Sequence, residues 1–193
     1  MDTSFLPEGY KEPVKSNYMK FQDGSNVFRV LAPATVGWEY WTEEVVDGVK
    51  KNTPHRVTKE ETIPMDKVVV NKFGNLNVSF FWAFPVYNWS ADRIQILQIT
   101  QAGIRKDITA YVKNAKWGNP TAYNLEVTKS KEGDKTVYGV LAEPKEELPK
   151  EIQDKFSSMK IDMDEWMKGG EPFSLGSKEE KIDTKKIADQ VPF

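Results

Sequence analysis

The sequence predicts a mainly β fold in which a single helix separates the last strands from the earlier ones. Two observations support this. Apolar and polar residues alternate in most hydrophobic segments, which is the period of a half-buried strand. Between residues 101 and 115 the apolar residues instead recur at helical spacing. Glycine, proline, asparagine and aspartate mark turns between the segments.

Several strands are predicted before the helix. Asp47-Gly48 is a strong hairpin signal. Pro54 has no N–H to donate and restricts its strand to an edge or a break. Polar residues 58–77 are predicted to form a long loop. The strands before the helix are predicted at 27–32, 38–46, 49–51 with 56–57, 78–87 and 92–100.

The helix and the segments after it complete the prediction. Gly118 and Pro120 end the helix. Two more strands follow at 123–128 and 136–141, with one or two short helices at 146–168. This order fits a five-stranded oligonucleotide-binding fold (OB-fold) barrel, in which a helix lies between the third and fourth strands. Another small α+β sheet would also fit it.

Four regions are expected along the chain. We expect one OB-fold domain at the centre of the chain, with extended, helical and flexible regions on either side. The predicted boundaries are 1–20 for an extended N-terminal arm, 21–145 for the OB-fold domain, 146–168 for a helical extension and 169–193 for a flexible C-terminal interaction tail.

Composition excludes several classes of function. The chain has no cysteine, so disulfides, thiolate metal sites and cysteine nucleophiles are excluded. Its only histidine is His55, which is expected in a loop. No glycine-rich phosphate loop, metal-ligand cluster or nucleophile elbow occurs. We therefore expect no enzymatic activity, no cofactor and no metal. No apolar run approaches a membrane span, and no secretory signal is expected.

The charge distribution is uneven. The net charge of the chain is −2. Residues 1–142 carry 18 basic and 16 acidic residues, a net charge of +2, whereas residues 143–193 carry 9 and 13, a net charge of −4. A slightly basic body with an acidic tail suits a nucleic-acid-binding protein, although chance would also account for so small a difference.

Aromatic residues carry the main functional signal. The chain has six tryptophans, seven tyrosines and ten phenylalanines, and many of them lie in the stretches 38–41, 80–89 and 117–123. Rings beside lysine and arginine provide stacking surfaces for unpaired bases. This pattern predicts a non-catalytic, sequence-tolerant binder of single-stranded DNA. The alternative is a protein-interaction or structural module, because aromatic residues are enriched in protein interfaces too.

The candidate site combines rings for the bases with cations for the phosphates. On strand 78–87, alternation places Phe80, Trp82, Phe84 and Val86 on one face, which is the better core candidate. Phe81 and Tyr87 would then face outward. For Trp82 two roles remain possible, packing in the core and contact with DNA. Trp117 is favoured as a cap on the bottom of the barrel. The candidate DNA-binding residues are Trp38, Tyr40, Trp41, Lys50, Lys51, Arg56, Lys59, Lys72, Trp82, Tyr87 and Arg93.

The chain resembles bacteriophage single-stranded DNA-binding proteins. The resemblance covers about residues 20–145. It rests on Gly24–Leu31 (GSNVFRVL), Gly37–Trp41 (GWEYW), Phe81–Ala83 (FWA), Ile94–Gln101 (IQILQITQ), Trp117–Pro120 (WGNP) and Tyr123–Leu125 (YNL). It implies an OB-fold protein that coats unpaired DNA during phage replication, recombination and repair, in the host cell cytoplasm.

The last residues are similar to the acidic tip of bacterial single-stranded DNA-binding proteins. That tip ends in an Asp-rich run followed by Pro-Phe. Here Asp189 is the only acidic residue among the last six, before Pro192 and Phe193. The resemblance implies that the tail recruits replication or recombination proteins through these residues. Some phage relatives bind zinc through Cys and His, which this chain without cysteine is not expected to do.

Overall fold

The computed structural model describes residues 16–173, which form a single β-sheet with three α-helices. The mainly β prediction is confirmed. The predicted number of five strands is wrong, because the sheet contains eight. The strands are β1 Tyr18–Met19, β2 Gly24–Val30, β3 Thr35–Val46, β4 Val49–Val57, β5 Val78–Asn88, β6 Arg93–Ile99, β7 Asn124–Glu132 and β8 Lys135–Ala142; the helices are α1 Ala102–Lys113, α2 Lys150–Ser158 and α3 Met163–Met167.

Strand β5 organises the sheet. One of its edges pairs with β6 from Trp82 to Asn88. The other edge is shared: its first half pairs with β3, and its last three residues pair with β2. The sheet therefore forks into a β3–β4 hairpin and a β2–β7–β8 branch. Within the described residues it stays open instead of closing into a barrel.

The hairpin between β3 and β4 follows the sequence signals. Asp47 and Gly48 have positive φ values of 52° and 77°, as a tight hairpin turn requires. Strand β4 pairs only with β3, so Pro54 lies on an edge strand as predicted. Its partner Trp41 directs its backbone N–H to Asn77 and accepts from the N–H of Val69, away from β4. The missing N–H of Pro54 therefore costs the ladder no hydrogen bond.

One face of the sheet, here called the inner face, carries the main core. Phe84 and Val86 of β5 lie on it and pack with residues of β2, β6 and β7. Helix α1 closes this core with its buried Ile104 and Ile108. Trp117 packs edge-on between Tyr111 and Tyr123, at centroid distances of 5.7 Å and 5.4 Å. It therefore packs against the core, in line with the predicted structural role.

The opposite, outer face is covered by the segment after the last strand. Trp166 of α3 packs against Phe81 with ring centroids 5.5 Å apart, in a cluster with Ile96. Ile152 of α2 belongs to a second cluster with Tyr87. The predicted helices at 146–168 therefore exist and form a layer over the sheet.

This helical layer carries the acidic charge of the C-terminal segment. Residues 143–173 contain five lysines and nine acidic residues, a net charge of −4, and residues 174–193 are neutral overall.

Both faces of β5 are therefore buried in its second half. The expectation that Phe81 and Tyr87 point outward is wrong, because α2 and α3 cover the face on which they lie. Phe81 is fully buried and Tyr87 is 5% exposed. No helix of the described residues is long and apolar enough to cross a membrane.

Candidate nucleic-acid interface

The first half of β5, together with β3, leaves part of the inner face uncovered. Register places Trp38 opposite Phe80, Tyr40 opposite Val78 and Val36 opposite Trp82. Side chains of directly paired residues share a face, and i, i+2 residues lie about 7 Å apart along a strand. Four rings therefore line this part of the sheet. We call them the aromatic row: Tyr40, Trp38, Phe80 and Trp82.

The rings of the row are held in fixed orientations and remain accessible. Trp38 meets Phe80 edge-on, with centroids 5.1 Å apart, and is 37% exposed. Tyr40 stacks on His55 of β4 at 5.1 Å. His55 Nε2 lies 2.7 Å from the hydroxyl of Thr42, which orients the imidazole. Tyr40, Phe80 and Trp82 are half-buried, so part of each side chain remains accessible to solvent.

Two cations border the middle of the row. Lys59 Nζ lies 5.9 Å from the centroid of the Phe80 ring, and the guanidinium of Arg105 lies 5.2 Å from it. Arg105 is fixed by hydrogen bonds from one nitrogen to the carbonyls of Phe80 and Thr100. Burial lowers the pKa of Arg105, but an arginine stays charged at neutral pH. Arg105 thus places a fixed positive charge beside the row.

Cavities flank the row at both ends. Near Trp82 an apolar cleft of about 360 Å³ opens between the β2–β3 connection and α1. Near Tyr40 and His55 a second cavity of about 450 Å³ is lined by Thr42, Glu44 and Lys67, among others. The row therefore lies between the two cavities, with Trp82 lining the first and Tyr40 lining the second. Its Tyr40 end is more acidic than its Trp82 end.

The structure brings together only some of the predicted site residues. Trp38, Tyr40 and Trp82 belong to the row, and Lys59 borders it. Alternation along β3 places Trp41 on the outer face. Lys51 is exposed near the hairpin turn, opposite Glu44.

Arg56 is engaged elsewhere. It was predicted to contact phosphate, but its guanidinium lies over the Trp166 ring, 3.9 Å from the centroid. Its Nε is 3.3 Å from a carboxylate oxygen of Glu39, and Nη1 donates to the Trp166 carbonyl. Burial lowers the pKa of Arg56, and the charge of Glu39 partly offsets this effect. Arg56 therefore fastens α3 to the hairpin.

The placement of Tyr87 also corrects the prediction of a stacking role. Its ring is enclosed on the outer face, and its hydroxyl donates to the carboxylate of Asp92. Burial and the neighbouring Asp92 raise the pKa of Tyr87 to about 12. No base can stack on this ring while α2 is in place.

The remaining predicted cations lie away from the row. Lys50 pairs with Glu43 at 2.8 Å, and this hydrogen bond raises its pKa. Lys72 lies over the ring of Phe73 in the loop before β5, at 4.9 Å. Arg93 donates to the side chain of Asn17 beside the end of α2. The predicted tail residues Asp189, Pro192 and Phe193 lie outside the described residues.

Three members of the site were not predicted. The sequence predicts Phe80 in the core and His55 in a loop, and it gives no signal for Arg105. Phe80 faces Trp38 only because of the β3–β5 register, which the local sequence does not specify. In the part of the chain that the structure describes, no group of three or more His, Asp or Glu residues is arranged to hold a metal ion.

Comparison of the chain with protein-family models, curated proteins and solved structures gave no match.

Proposed function

We propose that this protein binds single-stranded DNA, without catalysis, along the aromatic row. The observation that carries the proposal is the row itself: four partly exposed rings on one face of two paired strands, bordered by Lys59 and Arg105. The bases stack on the rings, and Lys59 and Arg105 contact the phosphate groups. Stacking on a ring tolerates any base, because every base has a π-face.

The charge distribution favours the inner face over the outer face as the binding site for DNA. The outer face is covered by a segment with a net charge of −4, which repels a phosphate backbone. Residues 16–142, which include the sheet and the row, carry 16 basic and 13 acidic residues, a net charge of +3. A polyanion is therefore directed to the uncovered part of the inner face.

The proposal includes a fold and a biological setting. The sheet is an opened variant of the OB-fold, supported by the order of strands, helix α1 and the final hairpin β7–β8. The protein coats unpaired DNA during phage replication, recombination and repair in the host cytoplasm, as its resemblance to phage single-stranded DNA-binding proteins implies. Its tail recruits replication or recombination proteins through Asp189, Pro192 and Phe193.

Fluorescence titration tests the proposal. Trp38 and Trp82 lie in the row, so an oligothymidylate should quench the tryptophan emission at low salt. Added salt should reverse the quenching, because phosphate contacts release counterions. The same titration with RNA measures discrimination between the two polymers. An emission that stays unchanged at low salt, with no change in anisotropy of a labelled oligomer, contradicts the proposal.

A protein-interaction role is the second candidate, favoured by a different surface. The hairpin tip exposes Val45, Val46 and Val49, and the loop before β5 exposes Phe73, which is 76% accessible. Exposed apolar residues that cluster, as the valines of the hairpin tip do, mark contact sites for proteins. A protein that acts only through this surface would not bind oligonucleotides, so the fluorescence titration distinguishes the two functions.

A further inference from the structure

The apolar cleft beside Trp82 has a defined place in the fold. One wall is the β2–β3 connection with Ala32, Pro33 and Ala34, and the other is α1 with Val112. The turn 119–121 closes its end. Its volume of about 360 Å³ is at the small end of the range for ligand pockets. A cleft of this size suits one small flat group and not a peptide segment.

The cleft continues the aromatic row. Trp82 is a member of the row and also lines the cleft. Val30 and Phe84, which form part of the main core, lie at its base. A strand that stacks along the row therefore reaches the cleft with its next base. Because the base of the cleft is core, a group that enters it is removed from water on several sides.

Two polar groups at the end of the cleft are available to a ligand. The side-chain oxygen of Asn119 accepts from the backbone N–H of Thr121 at 3.0 Å, which fixes the amide. Within residues 16–173, no hydrogen bond engages the amide nitrogen of Asn119 or the hydroxyl of Thr121. The amide can donate, and the hydroxyl can donate or accept. Pro33 and Pro120 restrict the backbone of the two rims.

From this combination we propose that the cleft is a pocket for one base of the bound strand and that it prefers thymine. The inference rests on the proposed binding of single-stranded DNA. A thymine carbonyl accepts from the Asn119 amide, and its N3–H donates to the Thr121 hydroxyl. The 5-methyl group contacts the apolar wall at Val112. Cytosine presents an amino group in place of a carbonyl at C4, and uracil lacks the methyl group.

Uracil provides the sharpest comparison, because it differs from thymine by one methyl group. Oligodeoxythymidylate and oligodeoxyuridylate of equal length, each labelled with fluorescein, should be titrated with the full-length protein by anisotropy. Burial of one methyl group is expected to make the thymine oligomer bind about fourfold more tightly. The Val112→Phe variant fills the cleft from its α1 wall. This variant should bind the two oligomers with equal affinity, and that affinity should be weaker than the affinity of the unmodified protein for the thymine oligomer.

Ala110→Phe is the matched control, since Ala110 is exposed on the same helix and does not line the cleft. This variant should keep the preference for thymine. Equal binding of the two oligomers by the unmodified protein overturns the pocket and leaves the proposed function intact. Retention of the preference in Val112→Phe also overturns it. Failure of the unmodified protein to bind either oligomer overturns the proposed function together with the pocket.

Discussion

The two faces of the sheet carry the same chemistry in opposite settings. On the outer face the guanidinium of Arg56 lies over Trp166, which is 1% exposed. On the inner face Lys59 and Arg105 border Phe80, next to Trp38, which is 37% exposed. A ring beside a cation stabilises the fold in the first case and remains accessible at the surface in the second. The difference lies in whether a helix covers the pair.

The outer face should be the more sensitive to truncation. Trp166→Ala removes a buried ring that contacts Phe81 and leaves Arg56 without its stacking partner. We expect the free energy of unfolding, measured in urea, to fall by about 3–5 kcal/mol. A loss below about 1 kcal/mol would show that α3 does not hold the outer face. The protein that remains folded should keep its affinity for single-stranded DNA.

Truncation on the inner face should affect binding instead of stability. Trp38→Ala should weaken binding of an oligothymidylate by about 1–3 kcal/mol, because one base loses its stacking partner. Trp89→Ala is the matched control: Trp89 is also 37% exposed, but it packs on Tyr87, away from the row. Anisotropy titrations of both variants test this comparison. Equal losses in the two variants would contradict a specific role for the row.

High pH should weaken the outer face through Tyr87. Burial and Asp92 favour the protonated phenol and raise its pKa to about 12, whereas a free tyrosine has a pKa of about 10. This contribution to stability is therefore complete below pH 10 and is lost as the pH rises to 12. At pH 11 the expected loss is about 1 kcal/mol.

Urea unfolding at several pH values measures this loss. Tyr87→Phe has no phenol to ionise, so the part of the pH dependence due to Tyr87 should disappear in that variant. An unchanged slope of stability against pH between pH 10 and 12 would contradict the assignment.

The smallest expected effect concerns the cations. Lys59→Ala should reduce the slope of log affinity against log salt by about 0.7, the value for one phosphate on a single strand. Lys155→Ala should leave the slope unchanged. Lys155 is exposed on α2, which covers the outer face, so it lies on the opposite side of the sheet from the row. A plot of affinity from 50 to 200 mM salt distinguishes the two variants. Identical slopes would exclude Lys59 as a phosphate contact.

Local sequence patterns predicted most of the elements. The Asp47-Gly48 hairpin, the helix at 102–113 and the edge position of Pro54 all depend on nearby residues, and each was predicted correctly. The site depends on contacts between distant segments. Alternation separated Phe80 from Phe81, but it could not reveal that α3, 85 residues later, covers Phe81. Tyr87 and Arg56 were misassigned for the same reason: their partners belong to the C-terminal helices.

The edge strand β4 has a consequence for the proposed function, in which several molecules bind along one DNA strand. Molecules bound side by side on one DNA strand would be at high local concentration. An unprotected edge β-strand would then pair with the edge of a neighbouring sheet and aggregate irreversibly. On β4 the free edge lacks one amide hydrogen at Pro54, and the exposed Lys51 adds a positive charge near it. Under the proposed function, neighbouring molecules on one DNA strand would then lie side by side without pairing their sheets, which would keep their binding reversible.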